Sequence, residues 1–408
     1  MRLTVAPEPT GIDLDRVDLT DPKLYGLGAP HDVWREMRQR DPVRWQDCAT
    51  RGFWSVTTMA EANQVLCDHH TFTSERGILL DLLGRDDPSG GHQLALTDPP
   101  RHTDIQARLQ EALSRHEVAV QEQAIRSRIR AVIDDWPDGE VTDVAGALSL
   151  APVAIMGDLM GLPEPDWPTL GRLTATSVAP ADPHYCLPSG VAATRQSADR
   201  ELFGYLGKQV QQRRRTGGED LIGLLLASEV EGRRLAPSEV VTNAFNVLLG
   251  GNVTMPNVVT ALLSHPEAPS RYGEWAEVPV ADLVEEAMRL ASPPNHFLRY
   301  ACHDAQVGGA RILAGQAVAV WFGSANRDEA VFDQPDAFRP GRSPNRHIAL
   351  GAGPHYCLAH RLARTTLRVW FEELFAAVRD LEPAGPAVHL HSNLVAGITE
   401  LPMRIWRR

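Results

Sequence analysis

Lysine is almost missing from this 408-residue chain, where only Lys23 and Lys208 stand against a large number of arginines. We read that skew as genomic composition rather than function. Cysteine is scarce too: Cys48, Cys67, Cys186, Cys302 and Cys357 are odd in number, widely spread and free of any Cys-x-x-Cys pair. That argues against a disulfide framework and suits a reducing, cytoplasmic setting. No stretch reaches the roughly 20 apolar residues that span a bilayer. The opening MRLTVAPEPTGIDLDRVDLTDPKL has early acids and no apolar run of a signal peptide. A soluble, unanchored cytoplasmic protein is expected. A basic excess is also absent: a net charge of −12 and a pI near 5.7 argue against a nucleic-acid partner, which needs a concentrated cationic face.

What is present is ordinary globular composition, 43% apolar and 23% charged. The regular β–α alternation of a doubly wound sheet is lacking, as are long-period repeats and linkers between independent parts. We expect a mainly α fold with minor β, in which residues 1–29 form an extension packed on one large domain spanning 30–408. HDVWREMRQRD and MAEANQVLCD read as helices flanking the short strands DPVRW and GFWSVTT. Residues 76–100, rich in Gly, Pro and Asp, read as a loop. Residues 101 to 248 are largely helical, and Ser238 is expected to cap a long apolar helix that stops at Pro266. VADLVEEAMRLAS is a further helix ending at Pro293–Pro294. FLRYA, AQVGG, RILAG and QAVAVWF read as strands, followed by a helix from about 358 to 379 and strand-like VHLHS and LPMRIW.

The pentapeptide PHYCL occurs twice, at 183–187 and at 354–358. Leu187-Pro188-Ser189-Gly190 cannot open a helix, so Cys186 is a loop cysteine. After Cys357, Leu358, Leu362, Leu367, Trp370, Phe371, Leu374, Phe375 and Val378 recur at helical spacing. A helix start offers unpaired N–H groups that favour a thiolate, and the glycines before it let the backbone run close to a flat partner. Gly351-Ala352-Gly353 is not a phosphate loop, because it has no Lys-Ser/Thr and no βαβ setting. The second copy therefore has the features of a site for an anionic sulfur ligand, and a buried inert cysteine is the alternative that the residues around it leave open.

LGAGPHYCLAHRLAR resembles the cysteine-ligand loop of the cytochrome P-450 family. Glu286-Ala287-Met288-Arg289 resembles its Glu-x-x-Arg helix, and Arg342 in FRPGR the third member of that charge triad. Ala325-Asn326-Arg327-Asp328 and the PVRW…GFWSV opening resemble the bacterial soluble branch, and the likeness covers roughly 30–405. It implies the P-450 fold, a β-rich lobe and a helix-rich lobe around haem b. It implies Cys357 as the metal ligand, with Leu350, Gly351 and Ala359 around it and His355, Arg299 and His102 on the haem propionates. Glu286, Arg289 and Arg342 would brace the cysteine loop.

Several positions depart from the family pattern. The usual arginine after His102 is Gln106, with Arg108 nearby as a substitute donor. Leu350 stands for phenylalanine and Ala359 for glycine. Over the distal face the usual Gly-x-acid-Thr reads Gly251-Asn252-Val253-Thr254. Thr254, Asn252 and Gly251 are the expected catalytic positions, but valine neither donates nor relays the proton that an acid would. Pro256 removes the helical partner of the Asn252 carbonyl. Substrate-facing candidates are Leu248, Gly250, Val253, Asn295, His296, Phe297, Leu394 and Val395, with the 78–96 loop and 176–190, including His184 and Tyr185.

The implied activity is a monooxygenase fed from NAD(P)H through ferredoxin reductase and ferredoxin. It would hydroxylate or epoxidise a small organic substrate in specialised metabolism, with atypical proton delivery. Arg361, Arg364 and Arg368 would form a docking patch on a monomer. Oxidative coupling, desaturation or ring formation is the alternative, and a haem carrier or sensor without turnover a third. A free substrate and a carrier-tethered one both stay open.

Overall fold

The computed structural model describes residues 11–28, 30–48, 51–114 and 118–408, so residues 1–10 of the expected extension lie outside the described residues. Residues 11–28 of it pack against the sheet lobe. Leu14, Leu19 and Tyr25 are buried in a cluster with Trp34, Leu298 and Trp321, and Tyr25 Oη donates to Leu19 O at 2.9 Å.

A five-stranded sheet forms one lobe, in the order Val43–Gln46, Phe53–Val56, Ala317–Trp321, His296–Ala301, Phe72–Thr73. Only the pairing of Ala317–Trp321 with Phe53–Val56 is parallel among these. Ala317–Trp321 is buried along its whole length, which is why AVAVW is continuously apolar rather than alternating. A second sheet orders Val378–Pro383, Pro402–Arg407 and Val141–Asp143. Two of its strands differ from expectation. Val141–Asp143 is not apparent in the sequence, and the terminal helix stops at Ala377, where Val378 begins to pair with the last strand.

The other lobe is helical, with its main core among the helices Leu150–Met160, Trp167–Val178, Val191–Thr216, Pro237–Leu263, Val280–Ala291 and His360–Ala377. Trp370, Phe371 and Leu374 of the last helix are fully buried, each contributing about 1.5–3 kcal/mol by burial. The long central helix begins at Pro237, with Ala236 rather than Ser238 as its cap residue. Proline needs no N–H partner in the first turn. The Glu239 carboxylate accepts the Ala236 N–H at 2.8 Å and is itself held by Arg101 and Arg233 at 2.7 Å each.

Candidate active site

The cysteine loop lies between the helical lobe and the sheet lobe. Gly351 and Gly353 adopt φ of +80° and +64°. A Cβ on Gly353 would stand 2.6 Å from Leu66 O, so only glycine lets the loop pass this close. Cys357 N–H donates to Leu350 O at 2.8 Å, closing the loop. The helix that follows begins at His360, three residues after the cysteine. Burial raises the Cys357 thiol above its ordinary range, and the Ala359 N–H and the Arg364 charge offset only part of that. Of the N–H groups expected to favour the thiolate, the structure brings that of Ala359 to the sulfur, and burial outweighs it.

Glu286, Arg289 and Arg342 meet in the interior. Arg289 donates to both Glu286 oxygens at 2.9 Å, and Arg342 Nε stands 3.1 Å from Oε1. Arg289 Nη1 also donates to Asn326 O at 2.8 Å, and Asn326 Oδ1 accepts the Ile348 N–H at 2.7 Å. Ile348 O accepts the Gly351 N–H at 2.8 Å. A continuous chain of bonds thus runs from the charge triad to the cysteine loop.

Cys357, Leu350, Gly351, Ala359, His355, Arg299 and His102 line one cavity of about 280 Å³, and Gly250, Gly251 and Thr254 of the central helix also line it. Arg299 is 3% exposed, yet its guanidinium donates only to the carbonyl of Leu298, at 2.8 Å, among the described residues. Burial pulls its pKa down to about 10. His102 is pulled down to about 4 by burial, then by His355, whose ring lies 4.5 Å away. His355 Nε2 is 3.5 Å from Asp98 Oδ1 and 3.3 Å from Ser74 Oγ. Burial works to raise the Asp98 carboxyl, but His355, Thr73 and Ser74 together hold it well below the usual range. Sequence reasoning did not single out Asp98, although it lies in the same TDPPRHT segment as His102.

Gln106 turns to Pro354 O at 3.4 Å. Arg108 does not substitute for the missing arginine, because it is exposed and donates to Glu229 O at 3.0 Å. Cys186 is half-buried in its loop and lines neither cavity, its Sγ 3.7 Å from Leu187 O.

A second cavity of about 1120 Å³ shares Gly250, Thr254 and Phe297 with the first. Val253, Leu394, Val395 and much of the 78–96 loop line it. Other candidates point elsewhere. Asn252 turns to the neighbouring helix, with Nδ2 3.3 Å from Thr174 Oγ1 and Oδ1 unpartnered. Leu248 is fully buried in the helical core. Asn295 donates to Ser392 O at 3.2 Å, while His296 pairs with Asn393 O at 2.9 Å and accepts the Leu80 N–H at 3.1 Å. These two brace the cavity wall from behind. His184 is exposed and paired with Glu400 at 3.0 Å, and Tyr185 packs in a cluster with Val253 and Leu394. Asn246 lines both cavities and was missed. The signal was its i, i+4, i+8 spacing with Gly250 and Thr254.

A family model described as cytochrome P-450 matches residues 269–377. The chain is 31% identical to cytochrome P-450 NovI of Streptomyces niveus, covering 99% of both chains. The chain belongs to the cytochrome P-450 family. This P-450 is also 30% identical to linalool 8-monooxygenase of Pseudomonas putida, over 95% of this chain and 98% of the relative. The crystal structure of OxyD, a P-450 involved in the biosynthesis of vancomycin-type antibiotics, superposes with a TM-score of 0.84. OxyD is 32% identical, over 96% of this chain and 100% of that one.

The P-450 is therefore a monooxygenase-family oxidoreductase of the expected mainly α fold. Family membership implies haem, a redox partner and a small-molecule substrate. No single helix among the described residues is long and apolar enough to cross a membrane. The residues present fit haem. Arg299 is a buried cation lacking the carboxylates that a propionate provides. Gly250 leaves open space, where a Cβ would meet nothing within 4 Å. A soft sulfur donor stands in the same wall.

Proposed function

We propose that this P-450 is a haem-thiolate monooxygenase that inserts one oxygen atom of dioxygen into a small organic substrate held in the larger cavity. Haem bound at Cys357 supplies the dioxygen activation. The supporting observation is that Thr254 lines both the cysteine-containing cavity and the larger one, at their shared wall. Cys357 would ligate the iron, Arg299 would pair with the propionates, and His102 and His355 would donate hydrogen bonds to them. Gly250 and Phe297 would bound the seam between the two chambers.

Proton supply is the distinctive part. The Thr254 hydroxyl donates to Gly250 O at 2.8 Å, and its neighbour Val253 has nothing to titrate. Asn252, turned to Thr174, does not replace the acid. A proton reaching Thr254 Oγ therefore comes from ordered water or from the substrate. That feature also supports the second reading, oxidative coupling or desaturation without oxygen insertion.

Electrons are proposed to come from NAD(P)H through a ferredoxin reductase and a ferredoxin, to a cytoplasmic monomer. Arg364 is engaged by Glu285, and Arg368 by Glu122 and Glu372. Arg361, exposed and without an ion pair among the described residues, is the more available docking charge on that helix. The relation to OxyD supports a role in specialised metabolism, on a free or carrier-tethered substrate. Turnover under isotope-labelled dioxygen tests the reading. Label in the product supports insertion, and its absence with loss of two hydrogens supports coupling.

A further inference from the structure

The larger cavity contains a carboxylate that the reaction leaves without a task. Asp199, on the helix Val191–Thr216, lines this cavity and keeps 30% of its side-chain surface open. Ser177 Oγ donates to its Oδ1 at 2.5 Å, while Arg195 Nε stands 3.6 Å from Oδ2. Arg195 is already committed, because its Nη1 donates to Asp81 Oδ2 at 3.1 Å. One guanidinium is thus shared between two carboxylates, and Asp87 adds like charge. Burial, the largest influence, raises the Asp199 carboxyl above its usual range. The remaining cations of the wall, Arg85 and Arg200, are exposed and screened by water. One helical turn from Asp199, Phe203 stacks on Phe245 at 4.6 Å between ring centroids, and both line the cavity.

A partly desolvated carboxylate with half a counter-ion, beside an aromatic wall, is complementary to a cation that carries apolar bulk. A carboxylate ligand beside that wall would instead meet Asp199 with only the shared Arg195 to offset it. We propose that Asp199 is a specificity-determining residue that selects substrates bearing a cationic amine, with the apolar remainder lying along Phe203 and Phe245 toward Thr254. This rests on the reading of that cavity as the substrate chamber.

The test is calorimetric binding to the haem-loaded protein of trimethyl(4-phenylbutyl)ammonium, whose nitrogen has no lone pair for iron. Its neutral isostere, with carbon in place of nitrogen, is the comparison. The ammonium is expected to bind the wild type tighter by about tenfold, the scale of one partly desolvated charge pair. Asp199→Asn is expected to abolish that preference without changing the affinity of the neutral probe, and Asp199→Glu to restore part of it. Equal affinities in the wild type, or a preference that survives Asp199→Asn, overturn the inference. The ferrous carbon monoxide spectrum of the same samples separates the two levels. Loss of the thiolate band in the wild type overturns the haem-thiolate reading and this inference with it, whereas a normal band without ammonium preference overturns the inference alone.

Discussion

Arg289 reaches Glu286 through two N–H···O bonds of 2.9 Å, with both side chains wholly excluded from solvent. Removing Arg289 leaves the buried Glu286 carboxylate with Arg342 as its remaining arginine, at a cost of up to about 3–5 kcal/mol. Arg289→Ala is expected to lower the unfolding free energy read from chemical denaturation by up to that amount and to reduce haem content, because the Asn326–Ile348 link to the cysteine loop loses its anchor. Unchanged stability and haem content would contradict the bracing role.

The same pair sets an acid limit. Burial works to raise the Glu286 carboxyl, but the Arg289 bonds and charge hold it below the ordinary range. Its contribution is fully present above the unfolded value of about 4.3 and is lost as pH falls through the lower folded value. Urea unfolding measured across that window should show stability falling with acid in the wild type and a shallower fall in Glu286→Gln. Parallel curves would remove Glu286 from the acid response.

Arg299 carries opposite predictions for the two states of the protein. Its buried guanidinium has one acceptor among the described residues, so Arg299→Leu should leave the haem-free protein at least as stable as the wild type. Losing charge-assisted bonds to a propionate, worth about 1.5–3 kcal/mol, should speed haem transfer to apomyoglobin by roughly tenfold or more. Equal transfer rates would show that Arg299 does not face the haem.

Val253→Glu restores an acid beside Thr254, and is expected to change the share of electrons diverted to peroxide rather than product. Thr254→Ala should lower that coupling if the hydroxyl relays the proton. Turnover untouched by Thr254→Ala points to protons supplied by the substrate itself. Unchanged coupling in both variants contradicts a proton role for this turn.

Pro256 interrupts hydrogen bonding inside a helix that nonetheless runs from Pro237 to Leu263. Pro256→Ala returns a partner to the Asn252 carbonyl and should raise thermal stability, by up to about 3 kcal/mol. A less stable variant would mean that the buried Pro256 ring contributes more through packing than the missing hydrogen bond costs.

Much of this was legible because it is local. The cysteine helix follows from the spacing of Leu362, Leu367, Trp370 and Phe371, and the buried strand from AVAVW. Helix starts were less legible, since Pro237 needs no partner N–H and moved the cap ahead of Ser238. The ends of the second sheet were not legible, because Val141–Asp143 and Val378–Pro383 are strands only through pairing with Pro402–Arg407. In the site, identity was easier to read than direction. Asn252, His296 and Leu248 lie in the expected segments, but their side chains are claimed by Thr174, Asn393 and the helical core. Asp98 and Asp199 act through contacts that only the tertiary fold creates.

The central claim is that Cys357, and not Cys186, binds haem iron as a thiolate. The most direct measurement is the absorption spectrum of the reduced, haem-loaded protein under carbon monoxide, for wild type, Cys357→Ser and Cys186→Ser. The long-wavelength band of a thiolate-ligated haem should appear in the wild type and Cys186→Ser and vanish in Cys357→Ser. A folded, haem-loaded wild type without that band, or a Cys357→Ser protein that keeps it, would contradict the account.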